Sequence, residues 1–359
     1  MQKLKMAIIG QGRSGRDIHG AFLRTDKNTF FDVVAVVEKD PERRDRALKE
    51  YPGCKVYADY RDLFELESLD LVLNDTYSDQ HYSISKDLLL HGFNVLVEKP
   101  MARNYFECAD LIATAKEKNL VMAVFQQTFL APFYQETKKI IESGKIGDIK
   151  QISIHYNGFA RRWDWQTLQY RMAGSLYNTG PHPVGLALDQ LGFDQNIQVA
   201  FSKLDRALTS GDAEDYVKII LTAPGKPVVD IEITSTDAFS DYNLKFQGSK
   251  GTYQCTPSHY KMKYIVDGEN PERPVIKESL KDENGLPVYC SEKLITHEET
   301  GSFEGSAFDT AVERFYAMLF DTLTTGAPLV VKAEWAAQII NIMETVHGQN
   351  PMPVIYTAE

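Results

Sequence analysis

The chain has 359 residues, of which 43% are hydrophobic and 25% charged, the composition of a globular protein long enough for two hydrophobic cores. Its formal net charge of −11 argues against a nucleic-acid partner and against an anionic membrane surface. No apolar run reaches the roughly 18 residues of a membrane span, no signal peptide is recognised, and the cysteines form no CxxC pair. We therefore expect a cytoplasmic protein with reduced thiols.

The first predicted strand, Leu4 to Ile9, runs directly into a glycine-rich turn of the form G-x-G-x-x-G, and a helix from Arg16 to Arg24 is predicted next. In this context the first glycine permits a tight turn and the second lets a pyrophosphate approach the backbone. The third glycine allows close packing of helix on strand, and the helix N-terminus faces the phosphate charge. The pattern predicts a dinucleotide site whose phosphate end contains Gly10, Gly12, Arg13, Ser14 and Gly15.

The second predicted strand, Val33 to Val37, ends in Glu38 and Lys39. An acid about 20 residues after the glycines accepts hydrogen bonds from the adenine-ribose hydroxyls, which favours NAD. Lys39 leaves NADP open, because a cation at this place could accept a 2′-phosphate instead. We expect NAD, with NADP as the less favoured alternative.

A small polar loop follows the fourth predicted strand, Asp70 to Asn74, and opens the helix that begins near His81. Thr76 is the best-placed hydrogen-bonding candidate toward a dinucleotide. His81 is a second candidate, although it could equally pack locally as a first-turn helix residue.

The fifth predicted strand, which starts at Phe93, ends in Glu98-Lys99-Pro100. In an open α/β sheet, ligands bind outside the carboxyl ends of the strands, so Glu98 and Lys99 are expected at the cofactor. A partly desolvated lysine beside a positive ring has a lowered pKa and can act as a base near neutral pH. Lys99 is therefore the candidate catalytic residue.

Six strands alternating with helices are predicted by residue 124, which indicates an α/β Rossmann domain with a doubly wound parallel sheet over residues 1–125. Gln126, just after the sixth strand, is the last cofactor candidate. Residues 126–359 are predicted as an α+β domain with a large, mostly antiparallel, open-faced sheet. Its strands are predicted at 150–157, 198–201, 215–221, 228–234, 244–247 and 252–255, a surface loop at 267–284, and two final helices at 307–324 and 333–348.

The loop after the strand that contains Tyr156 is rich in tryptophan and arginine. Aromatic faces stack on sugar rings or aglycones, and arginines donate forked hydrogen bonds to hydroxyls or carboxylates. Arg161, Trp163 and Trp165 are therefore predicted to contact substrate, and an aromatic plug between the domains is the alternative. Further along, Asn178 and His182 are four residues apart in a segment that becomes helical, so both could project to one side.

The glycine turn, Thr76 to His81, Glu98-Lys99-Pro100 and the stretch Gly174 to His182 resemble the Gfo/Idh/MocA family of NAD(P)-dependent oxidoreductases. The resemblance implies that Lys99 is the acid/base, with His182 as relay or alternative base. In relatives the position of Asn178 is usually Asp, partnered with the histidine and the lysine. Asn178 cannot carry a charge, so it is expected to position substrate. Tyr77 and Thr128 also depart from the family, which commonly has proline and arginine there.

The resulting prediction is an NAD-dependent dehydrogenase that acts on a secondary hydroxyl of a sugar, cyclitol or glycoside. Two alternatives stay open: a glycosidase that uses NAD transiently, and a non-catalytic sensor of NAD and sugar. The resemblance implies a homodimer or homotetramer, and no metal, nucleic acid or membrane is expected. The predicted substrate residues are Lys99, Tyr156, Arg161, Trp163, Trp165, Asn178 and His182.

Overall fold

Two β-sheets organise the computed structural model, which describes residues 2–358. The first sheet has six parallel strands in the order β3-β2-β1-β4-β5-β6, so the strand order reverses between β1 and β4. The carboxyl ends of the strands at this reversal form the crevice in which doubly wound folds bind ligands. The strands are β1 (Leu4–Ile9), β2 (Phe31–Val37), β3 (Lys55–Tyr57), β4 (Leu71–Asn74), β5 (Val95–Val97) and β6 (Met122–Val124).

Helices connect these strands and cover both faces of the sheet. The first begins as a π-helical turn, Gly15–His19, and continues as α1 (Gly20–Leu23), where a single helix was predicted from Arg16 to Arg24. Such π-turns insert one residue into a helix and are common at functional sites. The other helices of this half are α2 (Pro41–Glu50), α3 (His81–Leu90) and α4 (Tyr105–Glu117), with short 3-10 turns at Tyr60–Glu65 and Ser78–Gln80.

The second sheet has eight strands in the order β14-β13-β12-β11-β7-β10-β9-β8. Its neighbours are antiparallel except β7 and β10, which run parallel, so the predicted architecture of both domains is confirmed. The strands are β7 (Ile149–Asn157), β8 (Gln198–Asp205), β9 (Tyr216–Thr222), β10 (Val228–Thr234), β11 (Leu244–Gly248), β12 (Gly251–Cys255), β13 (His259–Tyr264) and β14 (His297–Ser302).

The last two strands, β13 and β14, were not predicted from the sequence. Both are largely polar, and β14 is an edge strand whose residues are mostly exposed. Strand β14 contains no apolar side chain and therefore shows no alternation, whereas β13 does alternate, with Tyr260, Met262 and Tyr264 on its less exposed face, and was missed despite this signal. The segment 265–296 that joins them contains the predicted surface loop and is mostly exposed.

The second sheet buries one face and leaves the other polar. In β9, Val217, Ile219 and Leu221 are fully buried against the helices. On the opposite face, the Lys218 amine lies 2.7 Å from Asp230 and 3.1 Å from Glu232. This alternation is typical of an antiparallel sheet with one face in the core.

Five helices belong to the second half of the chain, and the last two return to the first sheet. These helices are α5 (Pro132–Glu142), α6 (Ser175–Asn178), α7 (Pro181–Gln190), α8 (Asp309–Thr325) and α9 (Ala333–Gln349). Helix α9 packs on α4 and β6, and α8 packs on α1, where the rings of Tyr316 and Phe22 stack 5.1 Å apart. Within residues 2–358, no helix is both long enough and apolar enough to cross a membrane.

Candidate active site

The glycine turn after β1 has the shape that a dinucleotide phosphate requires. Gly10 has a φ of +104°, and a Cβ there would lie 2.2 Å from the carbonyl oxygen of Asp75. A Cβ on Gly15 would lie 2.3 Å from the carbonyl oxygen of Gly10, whereas one on Gly12 would have nothing within 4 Å. Gly10 and Gly15 are thus needed for packing, and Gly12 leaves open space at the helix N-terminus. Arg13 and Ser14 lie in the same turn, so the residues present fit a pyrophosphate.

Glu38, at the end of β2, is held against this turn. Its Oε2 accepts a hydrogen bond from the main-chain N–H of Gln11 at 2.8 Å, and its Oε1 accepts one from the main-chain N–H of Asp40 at 3.1 Å. The Arg43 guanidinium lies 3.5 Å from Oε2, and the neighbouring Lys39 is exposed. An acid therefore lies where an adenine ribose would bind, with two cations beside it.

Lys99 follows β5 at the carboxyl edge of the first sheet, and its amine contacts the second half of the chain. The Nζ atom donates a hydrogen bond to the main-chain carbonyl of Asn178, 2.7 Å away. Burial lowers the pKa of Lys99; the charges of Glu98 and Asp75 oppose this effect, and those of Arg13 and Arg162 add to it. The lowered pKa makes the neutral amine, the form that accepts a proton, available at lower pH than in a free lysine.

A chain of buried hydrogen bonds lies beneath Lys99. The carboxylate of Glu98 contacts the Nε2 atom of His19 at 3.0 Å, and the Nδ1 atom of His19 contacts the hydroxyl of Tyr316 at 2.8 Å. The other oxygen of Glu98 accepts the main-chain N–H of Lys99 at 2.9 Å. Burial disfavours the charged form of Glu98, but the contacts to His19 and Lys99 outweigh burial and lower its pKa. This network fixes the backbone at the catalytic candidate.

Asp75 lies beside this network, at the end of β4. Its Oδ1 accepts a hydrogen bond from the hydroxyl of Ser14, and its Oδ2 is buried without a hydrogen-bond partner. Burial, together with the charge of Glu98, raises the pKa of Asp75. Ligand atoms of His19, Asp75 and Glu98 all lie within 4.8 Å of one another, a grouping that sequence spacing did not indicate. Since both ring nitrogens of His19 already have partners, we interpret the group as a hydrogen-bonded network.

His182 lies near Lys99 and is held as a neutral imidazole. Its Nδ1 atom is 2.8 Å from the hydroxyl of Thr128, the residue that occupies the place of the usual arginine. Burial, reinforced by the charge of Lys99, lowers the pKa of His182 to about 3. The ring of Tyr156 lies nearly parallel to the His182 ring with centroids 6.4 Å apart. Two predicted substrate residues are thus brought together.

Asn178 is the last residue of the short helix α6. Its main-chain carbonyl binds Lys99, but its side chain binds Gln166. Its Oδ1 accepts a hydrogen bond from Gln166 at 2.9 Å. Helix α6 is anchored at its start by Glu214, which accepts the N–H of Leu176 at 2.8 Å. Burial raises the pKa of Glu214 to about 7. A Cβ on Gly174 would lie 2.4 Å from the Glu214 carboxyl, so glycine is required there.

The tryptophan-rich loop is divided between the surface and the cleft. Arg161 is exposed, and Trp163 is 78% exposed. Trp165 instead packs edge-on against Tyr77, with ring centroids 4.9 Å apart. Arg162, which was not among the predicted site residues, is half-buried. The segment after β7 therefore runs along the surface, and its Arg162 and Trp165 are less exposed than its Arg161 and Trp163.

The remaining cofactor candidates lie at the same edge of the first sheet. The ring nitrogens of His81 face the carbonyls of Pro100 at 2.7 Å and Thr76 at 3.2 Å, so His81 joins two loops. The hydroxyl of Thr76 donates to Asn74 at 2.8 Å. Gln126 is buried, and its Oε1 has no hydrogen-bond partner, which leaves an acceptor available to a ligand.

Several residues that shape the site had no signal in the sequence. His19 and Tyr316 are 297 positions apart in the sequence. Glu214, which lies just before β9, accepts a hydrogen bond from the start of α6. Gln166 and Arg162 lie in an irregular segment without periodicity. Only tertiary contacts reveal these residues. Asp75, by contrast, stood in a predicted cofactor loop, where a carboxylate next to the glycine turn could have been noticed.

Comparison with known proteins gives two family matches. Residues 4–126 match "Oxidoreductase family, NAD-binding Rossmann fold", and residues 134–254 match "GFO/IDH/MocA C-terminal domain". The scyllo-inositol 2-dehydrogenase (NADP(+)) IolW of Bacillus subtilis is 21% identical over 346 residues, which cover 95% of this chain and 92% of that protein. The inositol 2-dehydrogenase of Burkholderia multivorans is 27% identical over 235 residues, 64% of this chain and 67% of its own.

A solved structure agrees with this fold. The putative oxidoreductase yvaA from Bacillus subtilis superposes with a TM-score of 0.77 at 19% identity, and the match covers 99% of this chain and 98% of that one. At this identity the likeness establishes the shared fold alone. The two matched domains, with the glycine turn and Lys99 in their expected places, establish that the chain belongs to the Gfo/Idh/MocA family of NAD(P)-dependent oxidoreductases.

Proposed function

We propose that this protein is an NAD-dependent dehydrogenase of a secondary hydroxyl in a sugar, cyclitol or glycoside, with Lys99 as the acid/base. The observation that supports this role is the Lys99 amine at the carboxyl edge of the first sheet, fixed by the Asn178 carbonyl at 2.7 Å. The inositol dehydrogenases among its relatives support the class of substrate.

The proton transfer follows from the contacts of Lys99. A bound nicotinamide ring supplies the hydride acceptor. The neutral Lys99 amine donates one hydrogen to the Asn178 carbonyl, which leaves its lone pair free to take the proton of the substrate hydroxyl. His182, with a pKa of about 3, stays neutral at neutral pH. It therefore positions the hydroxyl by hydrogen bonding while Lys99 takes the proton.

The preference for NAD rests on Glu38. A carboxylate held at the glycine turn accepts hydrogen bonds from ribose hydroxyls and repels a 2′-phosphate. Lys39 and Arg43 act in the opposite direction, because both are cations beside Glu38. A comparison of kcat/KM for NAD and NADP decides the question, and a preference for NADP would contradict the role given to Glu38.

The experiment is a screen of the purified protein with NAD against sugars, inositols and glycosides, following reduced cofactor and free aglycone together. Lys99→Ala is expected to lower kcat by about 10²- to 10⁴-fold, the usual contribution of general-base catalysis, with cofactor affinity nearly unchanged. In the unaltered protein, kcat should rise with pH to a midpoint below 10.5, because the Lys99 pKa is lowered from that value. Lys116→Ala, on the exposed side of α4, is the matched control.

Two results would contradict the proposal. An active Lys99→Ala variant would remove the role assigned to Lys99. Release of aglycone without net reduction of NAD would instead assign the protein to the glycosidases that use NAD transiently.

A further inference from the structure

A small polar recess lies next to Asn178, the residue that holds Lys99. Its enclosed part has a volume of about 20 Å³, which is room for one water-sized group, and the rest of the recess is open to solvent. Its walls include Arg162, Gln166, Asn178, Thr209 and Ser235. Asn178 connects this recess to Lys99 through its main-chain carbonyl, and the Arg162 charge acts on the Lys99 amine, so a substituent next to a hydroxyl held at Lys99 faces this wall.

Two acids also line the recess, but both are bound by the main chain. Asp215 accepts the N–H groups of Ala207 at 2.6 Å, Leu208 at 2.8 Å and Thr209 at 2.7 Å. Glu214 accepts the N–H of Leu176. These two carboxyls are therefore occupied by main-chain N–H groups. The guanidinium of Arg162 is the charged group in this wall that can exchange its present partner for a ligand.

The present partner of Arg162 is a surface carboxylate. Its Nε and Nη2 atoms donate to the two oxygens of Asp164 at 3.2 and 2.8 Å, the forked geometry in which arginine binds any carboxylate. The two side chains are 40% and 46% exposed. Exposed ion pairs of this kind are weak because water screens both charges, so a ligand carboxylate replaces Asp164 at little cost.

We propose that the substrate carries a carboxylate close to the hydroxyl that is oxidised, as in a sugar acid or a uronoside, and that Arg162 binds this carboxylate. The inference rests on the proposed dehydrogenase function and narrows its substrate class. The recess is lined by Asn178, whose carbonyl fixes Lys99. The forked pair of hydrogen bonds between Arg162 and Asp164 is the geometry in which the substrate carboxylate binds. In this role Arg162 determines specificity, and the chemical step stays with Lys99.

The test compares matched substrate pairs, for example methyl glucuronides and methyl glucosides, by the rate of cofactor reduction. The carboxylate compound should have the higher kcat/KM by about 10- to 100-fold, the worth of a charge-assisted hydrogen bond. Arg162→Gln should remove this preference by raising KM for the carboxylate compound, and Arg162→Lys should restore part of it. Because the Arg162 charge also lowers the pKa of Lys99, the two compounds are compared on the high-pH plateau of kcat, where Lys99 is neutral in both proteins. Asp164→Asn should lower KM for the carboxylate compound.

Arg61→Gln is the matched control, because Arg61, in the turn Tyr60–Glu65, also pairs with an exposed aspartate two residues away, at 3.4 Å. Turnover of neutral sugars with no preference for the acids would overturn the carboxylate assignment alone. Loss of kcat on both compounds in Arg162→Gln would overturn it as well, because Arg162 would then act in catalysis. If no compound is oxidised by the unaltered protein, the proposed function fails and the carboxylate assignment fails with it.

Discussion

Lys99 is fixed by a main-chain carbonyl, and this contact does not depend on the side chain at position 178. The oxygen that accepts the Nζ hydrogen belongs to the peptide of Asn178, while the amide of that residue binds Gln166. An amide at this position therefore leaves the hydrogen bond of the base intact. It does remove a negative charge that relatives are expected to have there, so the ionisation of Lys99 depends on burial and on the charged groups Glu98, Asp75, Arg13 and Arg162.

Asp75 makes the affinity for cofactor depend on pH. Its carboxyl is buried at the glycine turn, where a cofactor pyrophosphate would add negative charge, and its pKa is raised above the ordinary 3.8. Bound phosphate should raise this pKa further, so that binding takes up a proton. We expect affinity for NAD to fall as pH rises through the pKa of Asp75. Calorimetry in two buffers of different ionisation enthalpy measures the proton uptake.

The matched variants separate this effect from general charge. Asp75→Asn should bind NAD more tightly at neutral pH and take up no proton. Asp62→Asn, which removes an exposed carboxylate elsewhere in the first domain, should behave like the unaltered protein. Proton uptake that persists in Asp75→Asn would assign the uptake to another group, and the neighbouring carboxyl of Glu98 is the nearest candidate.

At the scale of elements, two loops from opposite halves of the chain are joined at the mouth of the cleft. Arg171 lies 3.2 Å from the carboxylate of Asp79, and its guanidinium stacks 4.7 Å from the ring centroid of Tyr77. Trp165 contacts the same tyrosine. These contacts link the loop after β4 to the segment before α6. The tyrosine in place of a common proline thus provides a ring for two partners.

This link should slow the release of cofactor. Arg171→Met removes the ion pair and the cation–π contact, together worth about 1 to 2 kcal/mol in half-buried positions. We expect cofactor dissociation to accelerate by about 5- to 30-fold, the rate equivalent of that energy, while the chemical step is unchanged. Stopped-flow fluorescence of bound reduced cofactor gives the rate. An unchanged rate in Arg171→Met would show that the loops do not restrain the cofactor.

Strands with a buried apolar face were predictable, as for Leu4–Ile9, which is predicted and found with the same bounds. The edge strand β14 was not predictable, because it contains no apolar side chain. Strand β13 was missed although Tyr260, Met262 and Tyr264 alternate along it. In the site, Lys99 followed from its place after a buried strand. The places of Arg162, Glu214 and Gln166 in the site could not be predicted, because only the assembled fold brings their side chains to α6.

At the scale of the whole molecule, the segment 265–296 projects apolar side chains. Val275 is 90% exposed and Tyr289 98% exposed, and exposed apolar groups of this number indicate an interaction surface. The other exposed large apolar residues of this segment are Val266, Ile276, Leu286, Val288, Leu294 and Ile295. We expect this segment to bind a second copy of the chain, consistent with the predicted homodimer or homotetramer.

Light scattering after size-exclusion chromatography measures this association. The unaltered protein should have two or four times the mass of one chain. The double variant Val275→Ser, Tyr289→Ser should shift toward the single chain without loss of affinity for NAD, because neither residue belongs to the glycine turn. A single-chain mass for the unaltered protein would contradict the prediction.

The return of α8 to the first sheet has a consequence for biosynthesis. Tyr316 binds His19 and packs on Phe31, and Phe315 packs on Phe125, so the core of the first sheet includes side chains that are translated only after all strands of the second sheet. A nascent chain that has emerged only through β6 exposes these aromatic contacts to water. The core of the first domain is therefore completed only after the second sheet has been translated.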